Sequence, residues 1–366
     1  MDPDVTGPDN RRRKRITLPV TRTGCGPGPS AVREIASFRG AADDVLGRMR
    51  QMLVLGGTAW LGRAVAVHAV AQGAEVTCLA RGASGHAPPG ARLIRADRQD
   101  PTAYDALRRD WDEVVELSWD PGFVASALDS LADNAAHWTL VSSVSVYARS
   151  DAPFADETAE LVEPVDLEQY ADAKVHAERL TSAAVGERAL LARAGLIVGP
   201  GDPTDRYGYW PARFARGGRI LVPDATDRWV QAVDVDDLAA WIVSAGRAGI
   251  TGPVNAVGEA LPLAAVLASA RDAAAADGET VVVEDDVLTD RGVAFWAGPR
   301  SLPLWLPRDA DGFARRSDAT FVASGGRRRS LSETMRRTLR DERERGIDRP
   351  RRAGLTPAEE AEVLAG

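Results

Sequence analysis

Beyond Arg50, short continuous apolar runs alternate with longer stretches in which apolar and polar residues mix at helical spacing. The run Met52-Leu53-Val54-Leu55 leads into Gly56-Gly57-Thr58-Ala59-Trp60-Leu61-Gly62 and then into an apolar stretch over 64–71. A run of that length reads as a strand, the glycines as a turn, and the stretch beyond as a helix. A second apolar run over 75–80 ends in Arg81, and a third over 92–96 ends in Asp97. The run HWTLVSSVSVY, 137–147, reads as a buried strand that carries Ser142 and Ser143 toward its end. Strands alternating with helices predict an α/β fold with a parallel, doubly wound sheet. The 366 residues suffice for one such domain and a smaller C-terminal lobe.

Charge changes this picture through one residue. Of 45 basic side chains only Lys14 and Lys174 are lysines, and Lys174 follows Tyr170 by four positions in YADAK. On a helix such a pair shares one face, so phenol and ammonium can converge on one centre. A phenol ionises at about pH 10 and is a poor proton carrier near neutrality. A fixed cation beside it favours the phenolate. Lysine does this as a compact point charge that still reaches a ligand hydroxyl, whereas a planar guanidinium directs its donors differently. Tyr170 is therefore a candidate general acid or base. The plain alternative is an amphipathic helix over 167–180 with Tyr170 half-buried and Lys174 in water.

Two other stretches fall where such a site needs them. The strand, turn and helix over 52–71 form the setting in which backbone N–H groups at a helix N-terminus hold a pyrophosphate. Ligands of a doubly wound sheet bind beyond the carboxyl ends of its strands, which directs the strand-end serines toward the same crevice. Strand-end serines also serve as simple turn formers.

With RAGLIVGP at 193–200, these motifs resemble the extended short-chain dehydrogenase/reductases, also called the NAD-dependent epimerase/dehydratase family, over about residues 50–345. The resemblance implies a Rossmann core over 51–200, a substrate lobe over 201–345 with elements returning to the core, and a tail over 346–366. It assigns the substrate oxygen to Ser143, four residues before Tyr147, rather than to Ser142. It gives the proton to Tyr170 and the nicotinamide ribose to Lys174. The stretch from Gly56 through Gly57, Thr58, Ala59, Trp60 and Leu61 to Gly62 would hold the nucleotide, and Asp97 would meet its adenine.

Three departures qualify the likeness. The usual GxxGxxG carries Ala59 at its second glycine, which places a methyl beside the pyrophosphate. Where relatives that use NAD(H) have an acidic residue, this chain has Ala80 and then Arg81; an arginine there suits a 2′-phosphate and favours NADP(H), the alternative being a solvated loop residue. The asparagine and arginine typical of sugar-nucleotide enzymes are replaced by Leu196 and Val230, with Arg228 two positions early, so a nucleotide-sugar substrate is disfavoured. The expected activity is hydride transfer between nicotinamide and a small carbonyl or alcohol. An epimerase or dehydratase that retains NAD(H) is the alternative within the family, and a non-catalytic dinucleotide sensor or RNA-associated scaffold the alternative outside it. Trp119, Tyr207, Tyr209, Trp210 and Arg213 are candidate substrate-lining residues, against the plainer reading of core aromatics.

Composition narrows the partners. With 45 basic and 53 acidic residues the net charge is −8, which favours neither nucleic acid nor an anionic membrane surface. No apolar run approaches the roughly 18 residues of a membrane span, and the first 30 residues lack a signal-peptide core, so a cytoplasmic protein is expected. The expected partners are a small-molecule substrate and a second copy of the chain. Cys25 and Cys78 form no disulfide framework, and His68, His86, His137 and His176 show no metal-ligand spacing. Residues 1–50 carry ten basic and six acidic residues, including RRRKR at 11–15, and read as a disordered leader upstream of a natural start at Met49. A basic arm for nucleic acid or targeting is the other reading of that segment. The tail over 327–352 has eleven arginines against five acids, with Leu331, Met335 and Leu339 at helical spacing, and reads as a helix packed on the substrate lobe.

Overall fold

The computed structural model describes residues 49–365; residues 1–48 of the expected leader, Cys25 among them, fall outside this range. The first half of the chain runs β1 (Gln51–Leu55), α1 (Trp60–Ala71), β2 (Glu75–Ala80), β3 (Ala91–Arg95), β4 (Glu113–Glu116), α2 (Pro121–Leu131), β5 (Trp138–Ser143), α3 (Tyr170–Val185) and β6 (Ala189–Ala194). It continues through β7 (Leu196–Val198), α4 (Arg206–Arg216), β8 (Ile220–Pro223), β9 (Trp229–Asp234), α5 (Val235–Ala248) and β10 (Gly252–Ala256). The remainder comprises β11 (Ala260–Pro262), α6 (Leu263–Ala274), β12 (Thr280–Val283), α7 (Asp285–Asp290), β13 (Ala294–Trp296), β14 (Ser301–Pro303), α8 (Ala319–Ala323), α9 (Leu331–Arg345) and α10 (Pro357–Ala365).

Seven strands form a parallel sheet in the order β10-β6-β5-β4-β1-β2-β3. Alternate residues of β1 serve opposite faces, as the strand period requires. Met52 and Val54 pack with Val65, Ala66 and Ala69 of α1 and with Leu238 and Ile242 of α5. Leu53 and Leu55 pack with Val124, Leu128 and Leu131 of α2 and with Trp138 and Leu140. Burial on both faces explains why these strands read as unbroken apolar runs. Strand order reverses between β1 and β4, and a crevice for ligands opens at such a point.

Gly195 separates β6 from β7, where the chain leaves the main sheet for a second lobe. Strands β7, β9 and β11 form a three-stranded sheet there, beside the pairs β8/β12 and β13/β14. Tyr207, Trp210 and Phe214 of α4, Met335 of α9 and Val363 of α10 share its core with Trp296 and Trp305. The sequence over 346–366, expected as a tail, thus carries a helix of this core. Among the described residues no helix is long and apolar enough to cross a membrane.

Candidate active site

Helix α1 begins inside the glycine motif, so the N–H groups of Trp60, Leu61 and Gly62 occupy its first turn. Ala59 is the N-cap and offers no side-chain acceptor, which leaves the helix end to an outside anion. The backbone is tightly folded here. Gly56 has φ +95°, a Cβ on Gly57 would lie 2.4 Å from Cys78 Sγ, and one on Gly62 would lie 2.3 Å from Gly56 O. Ala59 itself has an ordinary extended conformation, φ −75° and ψ 163°, and its N–H bonds Gly56 O at 3.0 Å. The methyl is accommodated without backbone strain. Thr58 is buried, and Trp60 Nε1 donates to Pro200 O at 2.7 Å, tying the turn to the loop after β7. These residues fit a dinucleotide pyrophosphate.

Ser143 ends β5 and caps the short turn that follows. Its Oγ accepts from Ser145 N at 3.1 Å and lies 3.2 Å from Ser145 Oγ. Ser142, one residue earlier, is directed to the other side, where its hydroxyl donates to Glu178 Oε1 at 2.5 Å. Glu178 also binds Arg193 at 2.8 Å, and Arg193 Nη1 donates to Tyr147 Oη at 3.0 Å. Tyr147 in turn donates to Asn255 Oδ1 at 2.5 Å. This buried chain braces β5, α3, β6 and β10 behind the site and accounts for Arg193 of the RAGLIVGP motif.

Tyr170 is the first residue of α3, with its ring 6.0 Å from that of Trp119 in edge-to-face contact. Lys174, one turn on, has its Nζ 6.0 Å from the Tyr170 ring centre. Its ammonium donates to Val141 O at 2.6 Å and Ser118 O at 3.0 Å, so one of its three N–H bonds remains for a ligand. The loop carrying Ser118 and Trp119 is fixed from below. Glu116 accepts from Ser118 N at 2.7 Å and from Arg98 through both oxygens, at 2.9 and 2.5 Å.

Burial pushes the Lys174 ammonium down to about 8, against the pull of Glu116 and Glu178. An unfolded lysine keeps its proton to about pH 10.4. Between these values the unfolded chain binds more protons than the folded one, so stability rises with pH across that window. Wild type is expected to gain on the order of 2 kcal/mol from pH 8 to 10 relative to Lys174→Met. Urea unfolding of the nucleotide-free proteins at both pH values checks this, and parallel curves would count against it.

At the neighbouring ends of β2 and β3, Arg81 and Asp97 are exposed and stand 3.9 Å apart. Asp97 Oδ1 also accepts from Gln99 N at 3.1 Å. Arg95 is a residue sequence reasoning missed: its Nη1 would lie 2.5 Å from a Cβ on Gly82, beside Arg81. A strand end placed one residue earlier than expected brings it there.

Of the five candidate substrate-lining residues, Trp119 is the one in contact with Tyr170. Tyr209 and Trp210 are buried in the second lobe, Trp210 Nε1 donating to Pro303 O at 2.7 Å. Tyr207 is buried in the same core. Arg213 is engaged with Glu360 of α10, its Nε 2.6 and 2.8 Å from the carboxylate oxygens. The helix that carries these residues turns them inward, because the elements packed on it, α6, α9 and β14, come from later in the chain. Arg228 is likewise occupied, by Asp285 and Leu306 O.

Residues 52–258 match the model of the NAD dependent epimerase/dehydratase family. The UDP-glucose 4-epimerase of Thermus thermophilus, solved with NAD, is similar at 20% identity and TM-score 0.60, over 81% of this chain and 99% of its own. The UDP-N-acetylglucosamine 4-epimerase of Bacillus cereus is similar at 15% identity and TM-score 0.61, over 82% and 98%. The UDP-glucuronic acid 4-epimerase of Bacillus cereus, also with NAD, shows 12% identity and TM-score 0.60 over 80% and 98%. At such identities the likeness is one of fold. No curated protein matches the chain.

Proposed function

Since the chain belongs to the NAD dependent epimerase/dehydratase family, we propose that it is an NADP(H)-dependent reductase, or the reverse dehydrogenase, of a small carbonyl or alcohol. The observation that carries the nucleotide choice is the pair Arg81 and Arg95 at adjoining strand ends, where a 2′-phosphate would be read. The α1 N-terminus takes the pyrophosphate, and Lys174 takes the ribose. A bound nicotinamide supplies or accepts the hydride. Tyr170 holds or moves the proton at its Oη, Ser143 Oγ donates to the substrate oxygen, and Lys174 biases the phenol toward ionisation. Trp119, packed on Tyr170, keeps water from one side of the phenol.

The core positions of Leu196 and Val230, and the engagement of Arg228 with Asp285, support a substrate other than a nucleotide sugar. An epimerase or dehydratase of the same family would use the same three residues but keep NAD(H) through purification. The sensor or scaffold reading is not favoured, because binding alone needs none of Ser143, Tyr170 and Lys174.

Titration of the full chain with NADPH and NADH tests the proposal. Wild type is expected to prefer NADPH by about 10- to 100-fold, the worth of one charge-assisted phosphate contact, and Arg81→Ala to lose most of that preference. Equal affinities, or NAD(H) found in the purified protein, would move the assignment to the epimerase.

A further inference from the structure

Arg206 opens α4, half-buried and without a carboxylate partner at ion-pair distance. Its Nε lies 3.2 Å from Thr204 Oγ1, and its guanidinium sits 5.0 Å over the Trp296 ring. The other guanidinium N–H groups find no protein acceptor among the described residues, and no carboxylate of those residues lies within ion-pair distance. Asp202, the nearest, is buried with Oδ1 turned to Thr204 N at 2.8 Å, and burial pushes its carboxyl up toward the neutral form. Arginines set deeper in the molecule are treated differently. Arg98 is paired with Glu116, Arg193 with Glu178, Arg213 with Glu360 and Arg228 with Asp285. Arg316, which has no carboxylate either, is stacked on Tyr147 and bonded to Arg149 O at 2.6 Å.

The backbone that presents Arg206 is held under strain. Asp205 has φ +60°, uncommon for a residue with a side chain, and such a conformation persists only where its surroundings fix it. Here Arg349, Arg345 at 3.3 Å and the N–H of Arg352 at 3.0 Å all converge on the Asp205 carboxylate. The loop that leads to Arg206 is tied to the glycine turn, Trp60 Nε1 donating to Pro200 O at 2.7 Å and the Trp60 ring lying against Gly201, which sets the arginine on the crevice side of the second lobe. A guanidinium stays charged in any protein, so one left in a crevice without a directly paired carboxylate disposes the site to receive an anion.

We infer that Arg206 receives an anionic group of the substrate, a carboxylate or phosphate carried beside the carbonyl or alcohol that faces Tyr170. The inference rests on the proposed reductase reading and adds the substrate's charge to it. Trp119 beside Tyr170 offers apolar surface for the body of such a molecule.

The test uses the full chain saturated with NADP⁺, so that no reduction can follow binding, and calorimetric titration with phenylpyruvate, its neutral methyl ester and phenyl phosphate. One of the two anions is expected to bind about tenfold or more tightly than the ester, as a charge-assisted contact implies, and the better anion identifies the group. Arg206→Gln is expected to erase the difference and Arg206→Lys to retain part of it, with NADPH affinity unchanged in both. Equal binding of anions and ester, or no binding of any of the three, would overturn the inference while leaving the reductase reading intact. Loss of NADPH affinity in Arg206→Gln would overturn it as well, assigning the arginine to the nucleotide. Failure of wild type to bind NADP⁺ or NADPH would instead sink the reading beneath it.

Discussion

Tyr170→Phe is expected to lower turnover by about 10²- to 10⁴-fold while leaving NADPH affinity within about twofold of wild type. The phenyl ring keeps the edge contact with Trp119 and the position over Lys174, so the change removes one hydroxyl and little else. Lys174 keeps its bonds to Ser118 O and Val141 O, and with them its position in the crevice. The protein then binds its nucleotide but has no group to carry the proton. Steady-state rates on any substrate found, set beside fluorescence titration with NADPH, separate the two quantities. Full activity in the variant would remove Tyr170 from the chemistry; a parallel loss of nucleotide affinity would make it a structural residue of the crevice.

The second large effect lies in stability. Arg213→Ala is expected to cost about 3–5 kcal/mol, because it leaves the buried Glu360 carboxylate without its cation. Both side chains are nearly inaccessible, at 5% and 4%. The guanidinium also donates to Gly217 O at 2.8 Å and Arg219 O at 2.5 Å, while Glu360 accepts from Leu221 N at 2.9 Å. One pair therefore joins α4, β8 and α10. The midpoint of urea unfolding measures the loss, and the double variant Arg213→Met/Glu360→Leu is expected to recover much of it, since no charge is then stranded. A weakened substrate KM with an unchanged midpoint would return Arg213 to the substrate wall.

The contrast between these two residues shows what the sequence could and could not convey. Residues 52–80, Ser143, Tyr170 and Lys174 were legible because strand, turn and helix signals are local, and because a four-residue spacing fixes a shared helix face. The doubly wound sheet followed from the same alternation. The faces of α4 were not legible. In RYGYWPARFAR the arginines at 206 and 213 look alike, and periodicity places aromatic residues inward without saying which interior they enter. What distinguishes them is Glu360, 147 positions away from Arg213 and without a counterpart at Arg206. Arg95 escaped for a smaller reason, a strand end displaced by one residue. A clue to Arg206 did exist in the DPTDR run after Pro200, where short polar residues crowd a single arginine, but nothing local shows that its neighbours would turn away from it.

The clasp on Asp205 also bears on the order in which the protein becomes competent. Its holding groups, Arg345, Arg349 and the Arg352 amide, stand 140, 144 and 147 positions downstream. A ribosome adds them well after the nucleotide cradle, Ser143, Tyr170 and Lys174 have all emerged. The nascent chain can fold a sheet that accepts nucleotide before the turn bearing Arg206 is fixed, since contacts so distant in sequence close late. If the proposed roles hold, nucleotide capture and substrate recognition are separated in time during synthesis, and the second waits for residues 345–352.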